Sequence, residues 1–167
     1  AKDAGRSRAV YFDGKMARSR TSSAHSGLYR ALSRREFALH YQPQFRLRDG
    51  GLAAVEALLR WPGPRQAMRF PRDFLPAAED SGLIVDLGEW VLESACRQLA
   101  LWREQSIAPE RLALNVSVQQ LRRAEFPPLV RETLRRAGLP AGMLELDFQE
   151  AALAEDASRQ ALRTRSE

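Results

Sequence analysis

Three short apolar stretches of this sequence carry oxygen-bearing side chains at every second position, the arrangement that could gather ligands for a hard cation. In an extended chain, Glu56, Leu58 and Arg60 share one face while Val55, Ala57, Leu59 and Trp61 share the other. Across 111–118, Leu112, Leu114, Val116 and Val118 lie together and leave Ala113, Asn115 and Ser117 opposite. Across 143–149, Glu145, Asp147 and Gln149 oppose Leu144, Leu146 and Phe148. If the apolar faces meet helices, Glu56, Asn115, Glu145 and Asp147 all turn toward one interior, where carboxylates crowd unless a cation holds them. Oxygen donors without a Cys or His cluster suit Mg²⁺ or Mn²⁺ rather than zinc. Each residue alone has a plainer reading. Glu56 and Arg60 could neutralise each other, a buried Asn could satisfy loop backbone, and a strand carboxylate could face solvent at an edge. The recurrence over three strands favours the shared site.

The elements that must position these residues follow from spacing. Phe37 to Leu47 alternates, and the Asp49-Gly50-Gly51 turn leads into Leu52 to Trp61, a hairpin-like strand pair. Pro62 to Pro71 is turn-rich. Arg72 to Asp80 and Leu83 to Glu104 read as helices, the second with Ile84, Leu87, Val91, Ala95 and Trp102 on one stripe. Arg111 to Val118 reads as a strand, Pro127 to Ala137 as a helix stopped by Gly138, Met143 to Phe148 as a strand and Ala151 to Arg163 as a final helix. Upstream, Arg8 to Phe12 is a short strand candidate before Asp13-Gly14, and Leu28, Tyr29, Leu32 and Arg35 suit a linker helix, with a domain boundary near residue 27. Strand and helix alternate after the hairpin, which predicts a parallel sheet or a barrel of βα units. About four strands fall short of the eight of a closed barrel, so a partial barrel is expected.

Composition limits the function classes. The 167 residues are 44% apolar and 28% charged, suited to one main domain. No apolar run has membrane-spanning length and no signal-peptide block opens the chain, so a cytoplasmic protein without a membrane segment is expected. The net charge of +5 is concentrated: residues 1–35 hold nine basic and two acidic side chains, leaving −2 for the rest. An Arg-rich leader of this kind reads as a solvated connector, and no nucleic-acid polymer is expected as a partner.

At Glu56-Ala57-Leu58-Leu59-Arg60-Trp61 the sequence resembles the signature of the EAL family, bacterial phosphodiesterases that hydrolyse the second messenger cyclic di-GMP. Supporting segments follow the family's order: Tyr41-Gln42-Pro43-Gln44, Phe74-Leu75-Pro76-Ala77-Ala78-Glu79, Leu87-Gly88-Glu89-Trp90-Val91-Leu92 and Leu114-Asn115-Val116-Ser117. The first 16 residues resemble the closing helix and strand of a GGDEF domain. The resemblance implies an α/β fold, the N-terminal half or so of an EAL-type (β/α)8 barrel opening with a hairpin-like strand pair. Its implied organisation is a GGDEF remnant over 1–16, a linker helix over 17–36 and a partial EAL domain over 37–167.

The resemblance also implies roles. Glu56, Asn115 and Asp147 would ligate Mg²⁺ or Mn²⁺, and Glu150 would be the supporting loop glutamate. Gln42, Leu58 and Arg60 would contact cyclic di-GMP, Gln42 through guanine and Arg60 through a phosphate oxygen. The implied reaction is hydrolysis to linear pGpG. Two departures stand against it. Asp147 and Gln149 replace the family's glutamate and threonine, and the loss of one methylene draws the carboxylate back by about 1.5 Å. The sequence also lacks the paired-aspartate segment and the later catalytic lysine and glutamate, so the expectation is an incomplete domain, inactive by itself. A cyclic-di-GMP-binding sensor without catalysis is the alternative, and a ligand-free structural piece a third. Exposed sheet edges in a half barrel make a homodimer an expected assembly, beside the GGDEF domain as an intramolecular partner. His40 reads as a satisfied strand histidine, Cys96 as an inert core residue of its helix, Trp90 and Trp102 as packing or dimer-contact residues, and Arg122, Arg123, Arg135 and Arg136 as solvated charges.

Overall fold

The structure, a computed structural model, describes residues 26–63 and 68–148. The expectations for residues 1–16, for residues 17–25 of the linker, for Gln149 and Glu150 and for a helix over Ala151 to Arg163 lie outside the described residues.

Strand β1 (Ala38–Phe45) and strand β2 (Leu52–Pro62) form the antiparallel hairpin, with Gln42 opposite Glu56 and His40 opposite Leu58. Gly50 adopts φ 67° in the turn, and Asp49 Oδ1 accepts from the Gly51 N–H at 3.0 Å. Strand β4 (Arg111–Asn115) then lies parallel to β2, and β5 (Leu144–Asp147) parallel to β4, giving the order β1-β2-β4-β5. Parallel neighbours require crossovers, and helices supply them here. Helices α2 (Pro71–Ser81) and α3 (Ile84–Glu104) connect β2 to β4, while α4 (Val118–Leu121) and α5 (Phe126–Ala137) connect β4 to β5. Among the described residues this is a hairpin followed by two βα crossovers, as the alternating pattern predicts.

Local contacts and backbone conformation fix the start of α2 and the end of α5. Pro71 occupies the first turn of α2, where its missing N–H costs nothing, and Asp73 accepts from the Phe70 N–H at 2.9 Å. Gly138 ends α5 at φ 63°, which a residue with a Cβ adopts only under strain.

Helix α3 covers the sheet's apolar face. Its Leu92, Ala95, Cys96 and Leu99 pack with Val55, Ala57, Leu112 and Leu114 from the strands and with Leu134 and Leu139. Each fully buried leucine contributes about 1.5–3 kcal/mol. Burial pushes the Cys96 thiol up to about 11, which leaves it an inert core residue. A second cluster joins Phe37, Trp61, Phe74, Ile84 and Leu87 to Leu28 and Ala31 of the helical residues 26–33 (α1). Trp90 meets Phe37 at 6.1 Å between ring centroids, and Trp102 meets Tyr41 edge-on at 4.7 Å, so both indoles pack.

Three local expectations are corrected. Strand β4 stops at Asn115, and Ser117 caps α4 instead of continuing the strand. The turn-rich segment holds a short strand, β3 (Met68–Arg69), antiparallel to the end of β2, which two residues cannot signal through periodicity. In α1 the buried stripe is Leu28 and Ala31; Tyr29 is exposed and Arg35 lies past the helix at φ 56°. His40 lies on β1, as a strand histidine, and is exposed.

Candidate functional site

The polar positions of the three parallel strands do share one face. Register sets Glu56 beside Ala113 and Ala113 beside Glu145, and one pleat further sets Asn115 beside Asp147. Asn115 Nδ2 donates to Glu56 Oε1 at 2.7 Å, tying β2 to β4 by their side chains. The small Ala113 between Glu56 and Glu145 leaves room for these longer side chains to approach. Loss of hydration raises the Asp147 carboxyl above its usual range, and the negative charges of Glu145 and then Glu56 raise it further. Arg111 Nε meets Glu145 Oε2 at 3.4 Å, lower on the same face, so Glu145 already has a cation.

Glu56 and Asp147 therefore form an acidic pair on either side of Asn115, which hydrogen-bonds Glu56 and stands in register beside Asp147, with no protein cation paired to either among the described residues. Glu56 keeps a second carboxylate oxygen, and the Asn115 amide that donates through Nδ2 keeps its Oδ1 as an acceptor. Such a donor set fits a hard divalent cation. No group of three Asp, Glu, His or Cys side chains is close enough to hold a metal among the described residues, so the set fits only with the amide oxygen of Asn115 included.

The substrate-side expectations fall on the same face. Gln42 stands opposite Glu56 on β1 and is exposed. Leu58 is half-buried and lines a cleft of about 610 Å³ at the carboxyl ends of the strands, together with Asn115, Ser117, Asp147 and Phe148. Arg60 Nη1 donates to its neighbour's carbonyl, Leu59 O, at 2.8 Å, and its guanidinium lies 5.1 Å from the Phe70 ring centroid. Its remaining N–H donors have no protein acceptor among the described residues.

Sequence reasoning missed the group that fixes the end of β4. Gln120, only 5% exposed, accepts through Oε1 from the Ser117 N–H at 3.1 Å and from Ser117 Oγ at 3.0 Å. In return the Gln120 N–H donates to Ser117 Oγ at 3.3 Å, which closes a capping box one turn after Asn115. Gly88 of α3 makes space for it, since a Cβ there would stand 1.8 Å from Gln120 Nε2. The Ser-x-x-Gln spacing was the available signal. Phe70, whose ring lies against Arg60, and Arg72, on the same ring, were also missed.

No helix among the described residues is long and apolar enough to cross a membrane. The EAL domain family model matches residues 26–166. The bifunctional diguanylate cyclase/cyclic di-GMP phosphodiesterase MucR of Pseudomonas aeruginosa is 41% identical over 160 residues, 94% of this chain and 23% of its own length. An uncharacterized signaling protein of Caulobacter vibrioides is 40% identical over 95% of this chain and 19% of its length. The chain thus spans about a quarter or less of these relatives. Among solved structures, the PaMucR phosphodiesterase in complex with c-di-GMP superposes with TM-score 0.75 at 41% identity, over 82% of this chain and 56% of that one. The Xanthomonas citri FimX EAL domain in complex with c-di-GMP does so with TM-score 0.72 at 26% identity, over 84% and 54%. With its hairpin, its two βα crossovers and its Glu-Ala-Leu strand in the matched region, this chain belongs to the EAL domain family and follows the N-terminal half of its (β/α)8 barrel.

Proposed function

We propose that the polar face binds cyclic di-GMP, and that the domain, in the protein to which it belongs, hydrolyses it to linear pGpG. The observation that carries this reading is the Glu56–Asn115 hydrogen bond of 2.7 Å with Asp147 in register beside Asn115. EAL domains in general depend on a divalent metal. Glu56, Asn115 and Asp147 are the residues of this chain that would hold it, as Mg²⁺ or Mn²⁺. When bound, such an ion lowers the pKa of a water and shields the phosphodiester charge.

The chain's own side chains do the rest. Asn115 fixes the Glu56 carboxylate in one orientation by donating to Oε1. Arg60 meets a phosphate oxygen with its free N–H donors, Leu58 supports the nucleotide from the strand, and Gln42 reads a guanine edge. Net hydrolysis adds water across one P–O3′ bond: the water oxygen joins phosphorus, and the 3′ oxygen leaves and takes up a proton. Glu150 is assigned to a supporting role in that step.

One observation favours a second reading, binding without turnover: Asp147 stands where the family's ligand is a glutamate, and its carboxyl already resists ionisation. Calorimetric titration of the protein with cyclic di-GMP and Mn²⁺, followed by chromatography of the mixture, separates the two. Saturable heat that Arg60→Ala removes supports the site, and the appearance of pGpG assigns turnover. No heat with or without metal overturns both readings.

The same proposal takes residues 1–16 as the end of a GGDEF domain, 17–36 as the linker and 37–167 as the EAL part, with the GGDEF domain as partner in a cytoplasmic protein that can pair as a homodimer. The cyclase in MucR's name supports the tandem.

A further inference from the structure

Beside the acidic pair, at the far end of β2, the face changes sign. Strand β3 pairs Arg69 with Trp61, which sets the next residue, Phe70, alongside Arg60. Phe70 then enters α2, its N–H held by Asp73 Oδ2 at 2.9 Å. Two guanidinium groups share the Phe70 ring: Arg60 lies 5.1 Å and Arg72 lies 5.7 Å from its centroid. Arg72 has an acidic neighbour, Asp73, at 3.8 Å; Arg60 has none among the described residues. Phe70 is 43% exposed, so its ring is open to both guanidinium groups.

An arginine on a flexible stem loses rotamer freedom when it binds an anion, and a stacked guanidinium has already lost it. Here one N–H is tied to Leu59 O and the guanidinium carbon lies 5.1 Å from the Phe70 ring centroid, two contacts that restrict the rotamers open to Arg60. Two cations on one ring also repel, and an anion set between them relieves that repulsion. We propose that Phe70 is a positioning residue that holds Arg60 ready for a phosphate, and that Arg72, on the same ring, widens the site into a two-guanidinium rim. The inference rests on the cyclic-di-GMP reading for the identity of the ligand but not for its chemistry, which is that of a phosphate group.

The test measures affinity for two probes, cyclic di-GMP and inorganic pyrophosphate, in wild type, Phe70→Leu, Phe70→Tyr, Arg60→Ala and the Arg60→Ala/Phe70→Leu pair. Phe70→Leu is expected to weaken both by about threefold to tenfold, Phe70→Tyr to restore them, and Phe70→Leu to add nothing once Arg60 is gone. In the free protein, the ring-current shift of the Arg60 Hδ protons should vanish in Phe70→Leu while the melting temperature holds. Independent, additive losses, or unchanged affinity in Phe70→Leu, overturn the inference, as does a wild type that binds neither probe. Pyrophosphate binding with this coupling, but no binding of cyclic di-GMP, leaves the rim standing and overturns the cyclic-di-GMP reading alone.

Discussion

Leu112 and Leu114 point from β4 into the helix layer and are 0% and 2% exposed, while Asn115, the next residue along, is exposed and donates to Glu56 across the strand boundary. The same strands thus present two faces of opposite character. One is closed by Leu92, Ala95, Cys96 and Leu99 of α3; the other carries two carboxylates with no protein counter-ion among the described residues, next to an arginine whose other donors meet no acceptor among them. Alternation makes this possible, since a residue and its neighbour obey different requirements. Stability is concentrated on the first face. The second retains an electrostatic cost, visible in the raised Asp147 carboxyl, of the kind that a ligand relieves.

Substitutions can break this division. The largest effect is expected from Leu112→Ala, which leaves a cavity where no water reaches: a loss of about 2–5 kcal/mol by denaturant titration. Next comes Gly88→Ala, whose Cβ would meet Gln120 and force apart the contact between α3 and α4. It should cost about 1–3 kcal/mol and also weaken ligand binding, because Gln120 secures the turn that follows Asn115. Ser117→Ala removes the cap of α4 and should cost about 0.5–2 kcal/mol, again with loss of affinity.

The smallest change reverses sign. The folded state holds the Asp147 proton more tightly than the unfolded chain does, so ionising this group lowers stability as pH rises through the carboxylate range, and the loss persists at neutral pH. Asp147→Asn should therefore melt slightly higher than wild type at neutral pH in chelator. That advantage should disappear in acid, where both states of the wild type are protonated. A lower melting temperature at neutral pH would mean that Asp147 serves the fold rather than a ligand.

Much of this division was legible in the sequence. The alternation around Glu56 and Leu112 signals both faces, and the Asp49-Gly50-Gly51 turn signals the hairpin, because burial on one face leaves only one register that works. What escaped was set by contacts rather than by periodicity. A two-residue strand such as β3 exists only through its pairing with Trp61 and Pro62. The end of β4 depends on Ser117 turning to cap a four-residue helix, where apolar Val116 and Val118 continue the strand pattern. The Phe70 rim needs β3 and α2 together, so a linear reading sees there only a turn rich in Pro and Arg.

The central claim is most directly tested by titrating Mn²⁺ and following the loss of its free-ion electron paramagnetic resonance signal in wild type, Glu56→Gln and Asn115→Ala. Glu56→Gln keeps an acceptor for the Asn115 amide, so its fold and melting temperature should be preserved. One saturable site is expected in wild type, weakened at least about tenfold in either variant. Equal Mn²⁺ affinity in all three proteins would contradict it.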